Sequence, residues 1–165
     1  MTEEQQKFLE LAVIEQLTYD QITERTGIPR EKFTQWWEDS EEERETLSKI
    51  RQIWTKKCTT IDFWDFHKWY TIADRQCNYC NITEPEIKAL IDKEQIHTKR
   101  LTTRGRTLEI ERRKPNKPYD DTDNLVFCCY WCNNAKTDEF TEKEFEKIGS
   151  CIADIWKNRM TKYDI

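Results

Sequence analysis

Two C-x-x-C pairs, Cys77-Asn-Tyr-Cys80 and Cys129-Tyr-Trp-Cys132, constrain the fold of this chain more than any other feature. Each can offer two thiolates from one tight knuckle, and four sulfurs brought together make a tetrahedral set for a structural Zn2+. The 49 positions between Cys80 and Cys129 exceed the usual zinc-ribbon spacing, but closing a longer loop costs entropy only slowly. Two redox pairs, or plain buried cysteines, are the competing readings. The cysteine total is odd, seven, and the N-terminus MTEEQQKFLE is acidic and polar where a secretory leader is basic and then apolar. Both point to reduced thiols and a cytoplasmic setting. A four-thiolate site has no open position, so it would staple the fold and leave chemistry to its neighbours. Cys58, Cys128 and Cys151 stand alone as core or incidental thiols, although Cys128 could compete with Cys129 for the ligand position.

Charge is unevenly spread along the 165 residues, whose formal net charge is −5. Residues 1–50 carry 13 acidic and 6 basic side chains, a net of −7, and the remainder balances at 21 minus 19, or +2. Within that remainder His97 to Pro118 holds eight Lys/Arg against Glu109 and Glu111. A basic stretch from Lys99 to Lys117 can track a phosphate backbone, or can be a solvated loop. No apolar run approaches the roughly 20 residues of a membrane span.

Periodicity predicts an α+β chain in two parts, a helical module over 1–57 and a zinc-stapled domain over 58–165. Phe8, Leu9, Ala12, Val13 and Gln16–Leu17 mark one face of a first helix ending near Leu17. Thr18 to Gln21 has the form of a capping box, Gly27 ends the helix it opens, and Pro29 starts another, together a helix-turn-helix-like pattern. Ser40 to Glu43 opens a further helix. Phe63, Phe66 and Trp69–Tyr70 stripe an aromatic helix that would brace the cysteine-bearing segments after it. Alternation over 107–111 and 125–128, around the Pro/Asn/Asp-rich KPNKPYDDTDN, reads as a hairpin, with a helix starting at Asn133 and a closing helix capped by Thr141 and Glu144.

TLEIERRKPNKPYDDTDNLVFCCYWCNNAK is similar to the core of the HNH endonucleases, the ββα-metal nucleases: an acid at the end of the first strand, an Asn before the second, then C-x-x-C-N-x-x-K. The match runs from about Cys77 to Phe145, less than half of the chain. The resemblance implies a divalent metal, Mg2+ or Mn2+, held by Glu111 and Asn133, with Asn124 as the loop residue that orients the site. Arg112 falls where the family's general-base His stands, as in a subfamily with Asp/Glu-Arg in place of Asp-His.

An arginine stays protonated at physiological pH, so Arg112 cannot take a proton from water, but it can clamp a phosphate. Water activation would then fall to the metal, to Asp120, Asp121 or Asp123, or to His97. The aspartates have a simpler reading in turn chemistry, and His67 reads as a packing residue. Arg104, Arg106, Arg113, Lys114 and Lys136 are the expected nucleic-acid contacts. The leading expectation is a phosphodiester-hydrolysing endonuclease acting on nucleic acid, DNA foremost. Its rivals are an inactive zinc-stabilised nucleic-acid-binding protein of the same fold, and an adaptor whose acidic N-terminal helices bind another protein. Arg25, Arg30 and Lys32 would have to make any phosphate contact from the N-terminal helices.

Overall fold

A computed structural model describes residues 1–97 and 104–164. The chain divides into two compact units, Met1–Thr59 and Thr60–Ile165.

The first unit is all helix. Thr2 caps α1 (Glu3–Leu9), which runs on into a wide π turn over Glu10–Ile14. The chain then turns through Gln16 at φ 58°, with Leu17 N–H bonded back to Leu11 O at 3.0 Å. The expected single helix to Leu17 therefore closes early. Thr18 and Gln21 cap α2 (Tyr19–Thr26) reciprocally, and Gly27 ends it in the left-handed region at φ 72°, where a side chain would be strained. α3 (Glu31–Asp39) comes next, then α4 (Glu41–Lys57). Ser40 precedes α4 but makes no capping bond, because its backbone (φ −111°, ψ 33°) is not the extended conformation that a cap needs. Phe8, Leu11, Ile22 and Phe33 form the core, with Phe8 and Phe33 stacked at 4.7 Å and Trp36 and Trp37 half-buried against them.

The second unit carries the cysteines. Asp62 caps α5 (Phe63–Ile72) by accepting from the N–H groups of Trp64 and Asp65. The first knuckle lies beyond it, closed by Asn81 N–H to Cys77 O at 2.8 Å with Asn81 at φ 58°. Thr83 and Glu86 then form a capping box for α6 (Glu84–Asp92), a helix that the periodicity does not predict.

β1 (Glu109–Arg112) pairs antiparallel with β2 (Leu125–Cys128), placing Glu109 opposite Cys128 and Glu111 opposite Val126. α7 (Tyr130–Lys136) begins three residues earlier than expected. The reason is Cys129, which is itself the N-cap: its sulfur accepts from Cys132 N–H at 3.4 Å, so the second C-x-x-C is the first turn of the helix. The Thr141–Glu144 box opens α8 (Glu142–Tyr163).

Rings tie these pieces together. Trp69 and Tyr70 of α5 lie 5.1 and 5.4 Å from Phe127 of β2. Tyr79 in the first knuckle meets Phe145 of α8 at 5.0 Å, and Trp131 of α7 meets Trp156 at 5.0 Å. Gly149 lets α8 approach closely: a Cβ there would stand 2.6 Å from the Tyr79 carbonyl oxygen. The aromatic residues thus seat both knuckles on one core.

Candidate metal centre and active site

Cys77, Cys80, Cys129 and Cys132 are all buried, with their sulfurs within 4.8 Å of one another. Cys80 Sγ and Cys129 Sγ are 3.6 Å apart. An ideal tetrahedron with metal–sulfur bonds of about 2.3 Å has edges of roughly 3.8 Å, so the donor set fits a zinc-sized ion. Backbone bonds hold the two knuckles together: Asn78 N–H donates to Phe127 O at 2.8 Å, beside Cys128. Hydrogen bonds from Cys128, then from Cys129, Cys132 and Cys80, push the Cys77 thiol far below its usual range. Cys132 is pushed far above its own by hydrogen bonding with Cys129, Cys77 and Cys80. Packed so closely, the sulfurs can all ionise only around a cation. Cys128 lies beside the set, its Sγ directed at Cys129 O at 3.5 Å. Burial pushes Cys58 up to about 11, as suits an inert core thiol, although Lys57 opposes the shift.

One face of β1 meets α7 in two rungs. Residues 109 and 111 share a strand face, and residues 133 and 136 sit one helical turn apart. The first rung joins Glu109 to Asn133, whose Nδ2 donates to Glu109 Oε2 at 2.5 Å. In the second, Lys136 Nζ lies 3.9 Å from Glu111 Oε1 and donates to the carbonyl oxygen of Arg112 at 3.1 Å. Asn133 and Glu111, the two expected metal ligands, thus stand on adjacent rungs, each with a different partner. Glu111 is 6 % exposed and Lys136 0 %. The expectation that Lys136 touches nucleic acid is therefore corrected. It cannot reach a phosphate from this position, because its ammonium is spent inside the fold.

Arg112 points off the opposite face of β1. Its guanidinium donates to Lys117 O at 3.1 Å and to Asp138 Oδ1 at 2.6 Å, and lies 4.8 Å from the Tyr119 ring centre. Its Nε is buried without a hydrogen-bond partner among the described residues. Asn124, buried, closes the hairpin loop: Oδ1 accepts from Lys114 N–H at 2.9 Å, and Nδ2 reaches the Pro118 carbonyl at 3.3 Å. Asp121 accepts from Asp123 N–H at 2.9 Å, which is turn chemistry. Asp120, Asp121 and Asp123 line a cleft of about 340 Å³ with Arg113, Lys114 and Lys117. His97 is exposed, whereas His67 lies against the rings of Phe63 and Trp64, and desolvation lowers its pKa.

Among the expected nucleic-acid contacts, Arg106 and Lys114 are exposed, Arg113 is paired with Glu142 at 2.5 Å, and Arg104 grips Glu109 with two donors. Lys99 and Arg100 of the basic stretch lie outside the described residues. In the first unit Arg25 is paired with Glu15, Arg30 with Asp20, and Lys32 with Glu4.

Sequence reasoning missed Glu109 and Asp138. The period of two in Glu109-x-Glu111 was the available sign that Glu109 shares a face with Glu111; nothing local marks Asp138 as the partner of Arg112.

No protein-family model matches the chain, and no curated protein does. A solved structure is similar to it. That structure is of PacI, described as a rare-cutting HNH restriction endonuclease with an extraordinary mechanism of DNA perturbation. Identity is 26%, the aligned part covers 59% of this chain and 65% of that one, and the TM-score is 0.47. No helix among the described residues is long and apolar enough to cross a membrane.

Proposed function

We propose that this chain is a metal-dependent endonuclease of the HNH kind, hydrolysing phosphodiester bonds of nucleic acid, most of all DNA. The observation that supports the reading is the pair of rungs between β1 and α7, Asn133 to Glu109 and Lys136 to Glu111, in the same unit as a four-cysteine cluster. A pure zinc staple has no use for these residues.

In this reading Glu111 and the amide oxygen of Asn133 hold Mg2+ or Mn2+. Two protein oxygens suit Mg2+, which keeps several waters and takes its remaining ligands from substrate phosphate. Glu111 turns Oε1 towards Lys136, so Oε2 is the oxygen left for the ion. When bound, the cation supplies charge neutralisation at the phosphoryl oxygens and a more acidic water. Asn124 keeps the hairpin loop closed over the end of β1. Arg112 stays charged and cannot act as base; to grip a phosphate its guanidinium exchanges Asp138, which is 80% exposed, for the substrate. Arg104, Arg106, Arg113 and Lys114 supply the cationic approach, and Zn2+ on Cys77, Cys80, Cys129 and Cys132 is structural. The helical module, 1–57, selects the target or a protein partner. Internal pairing of Arg25, Arg30 and Lys32 favours the protein partner.

A second reading has a specific observation behind it. Glu111 is buried beside an ammonium, and the residue in the place of the base is an arginine. These favour an inactive zinc-stabilised nucleic-acid binder of the same fold. Incubating the purified chain with plasmid and single-stranded DNA plus Mg2+ or Mn2+, beside Glu111→Ala and Arg112→His, separates the two. Cutting that is lost in Glu111→Ala supports the nuclease. No cutting by the native chain, restored by Arg112→His, supports the binder.

A further inference from the structure

We infer that Glu109 is a positioning residue for the divalent-metal site: anchored by Arg104, it fixes which end of the Asn133 side-chain amide faces the ion. The inference rests on the reading of Asn133 as a metal ligand.

Asn133 can offer a metal its Oδ1 only if its Nδ2 is turned elsewhere, and the two ends of an amide have nearly the same shape. Packing alone therefore does not choose between them. Glu109 chooses. As a carboxylate it accepts and never donates, so the end of Asn133 that faces it must be the nitrogen, as the 2.5 Å contact from Nδ2 to Oε2 has it. Oδ1 is then the end left over.

Arg104 holds Glu109 in that place. Its Nε donates to Oε1 at 2.7 Å and its second nitrogen donates to Oε2, a two-pronged grip on a carboxylate that is only 18% exposed. The Arg104 guanidinium is itself backed by Tyr130, 5.0 Å from the ring centre and three residues before Asn133 on α7. The chain of contacts Tyr130 to Arg104 to Glu109 to Asn133 thus begins and ends on the first turn of α7. Groups that orient a metal ligand in this way typically affect metal affinity by about 10- to 100-fold.

A donor–acceptor swap tests this. In Glu109→Gln the single remaining oxygen is claimed by Arg104, so the new NH2 group faces Asn133 and the Asn133 amide inverts. Mn2+ affinity of the zinc-loaded full chain, measured by calorimetry without nucleic acid, should fall about tenfold or more. In an Asn133→Asp background the same change should cost less than about threefold, since the glutamine NH2 then donates to one Asp oxygen and leaves the other for the ion. Loss of one negative charge near the metal predicts the same decrease in both backgrounds, and that result overturns the inference. A second readout needs no divalent ion: in 15N NMR of the wild-type chain one Asn133 amide proton should be shifted downfield and slow to exchange, and should lose both properties in Glu109→Gln. An Asn133 amide signal unchanged by that substitution also overturns it. If the wild-type chain takes up no Mn2+ at full zinc content, the metal reading fails and this inference with it. Binding lost in Glu111→Gln but reduced equally by Glu109→Gln in both backgrounds leaves the metal reading standing and removes only the role of Glu109.

Discussion

Lys136, wholly buried, donates from Nζ to the backbone carbonyl of Arg112 at 3.1 Å, and so ties the last turn of α7 to the end of β1. Glu111 Oε1, 3.9 Å away, is the charge that accompanies it. An ammonium without exposure persists because it has both an acceptor and a counter-charge. Lys136→Met strands both, and should cost about 3 kcal/mol in urea unfolding. Combined with Glu111→Gln it should cost at least about 0.5 kcal/mol less than the sum of the two single changes. Additive losses would show that Glu111 and Lys136 do not act as a pair.

The sulfur centre should bind one zinc per chain. Because zinc takes its cysteine ligands as thiolates, uptake of the ion releases protons, and apparent affinity falls as pH falls. Titration with a chromogenic chelator between about pH 8 and pH 6 checks the sign. Cys132→Ser or strong chelation should abolish the near-ultraviolet signal of Trp131 and Trp156, which pack beside the centre, while the far-ultraviolet helical signal of the first unit remains. Retention of both signals without bound metal would sink the structural role.

Gly149 faces the backbone of Tyr79 so closely that an added Cβ meets its carbonyl oxygen at 2.6 Å and its Cβ at 2.8 Å. Neither atom belongs to a flexible side-chain end. Gly149→Ala should therefore cost about 2 kcal/mol through overpacking, and speed zinc loss by moving the knuckle that holds Cys77 and Cys80. An Ala variant as stable as wild type, with unchanged zinc release, contradicts the contact.

Asp138 and a phosphate compete for the same Arg112 donors. Asp138→Asn should raise affinity for a short DNA duplex roughly threefold at low salt, and Arg112→Ala should lower it by a similar factor, each read by fluorescence anisotropy. An Asp138→Asn effect that persists in an Arg112→Ala background assigns the gain to general charge and not to that exchange.

The helix ends were legible because capping is local chemistry. Thr18 with Gln21, Thr141 with Glu144, and Gly27 were all readable within a few residues of the ends they set. Ser40 had the right letters and the wrong backbone, since α3 runs into α4 without an extended residue between them. α6 is not predicted by periodicity, although Thr83-Glu-Pro-Glu86 carries the same local capping signal. α7 began early for a reason specific to sulfur: Cys129 serves as both cap and ligand-set member, and cysteine is not among the usual capping residues.

The sequence by itself determined the four sulfurs and the order of strand pair and helix, since these are matters of spacing along the chain, whereas the candidate site residues followed from resemblance to a family pattern. Only the tertiary structure decided partners. It took Lys136 out of the solvent, gave Asn133 to Glu109, and turned Arg112 towards Asp138. Those pairings span 24 to 26 residues and depend on how one strand face meets one helix face. Spacing fixes which face a side chain is on, whereas the rung that it joins is set by how far β1 has slid along α7, a relation that no local pattern of residues encodes.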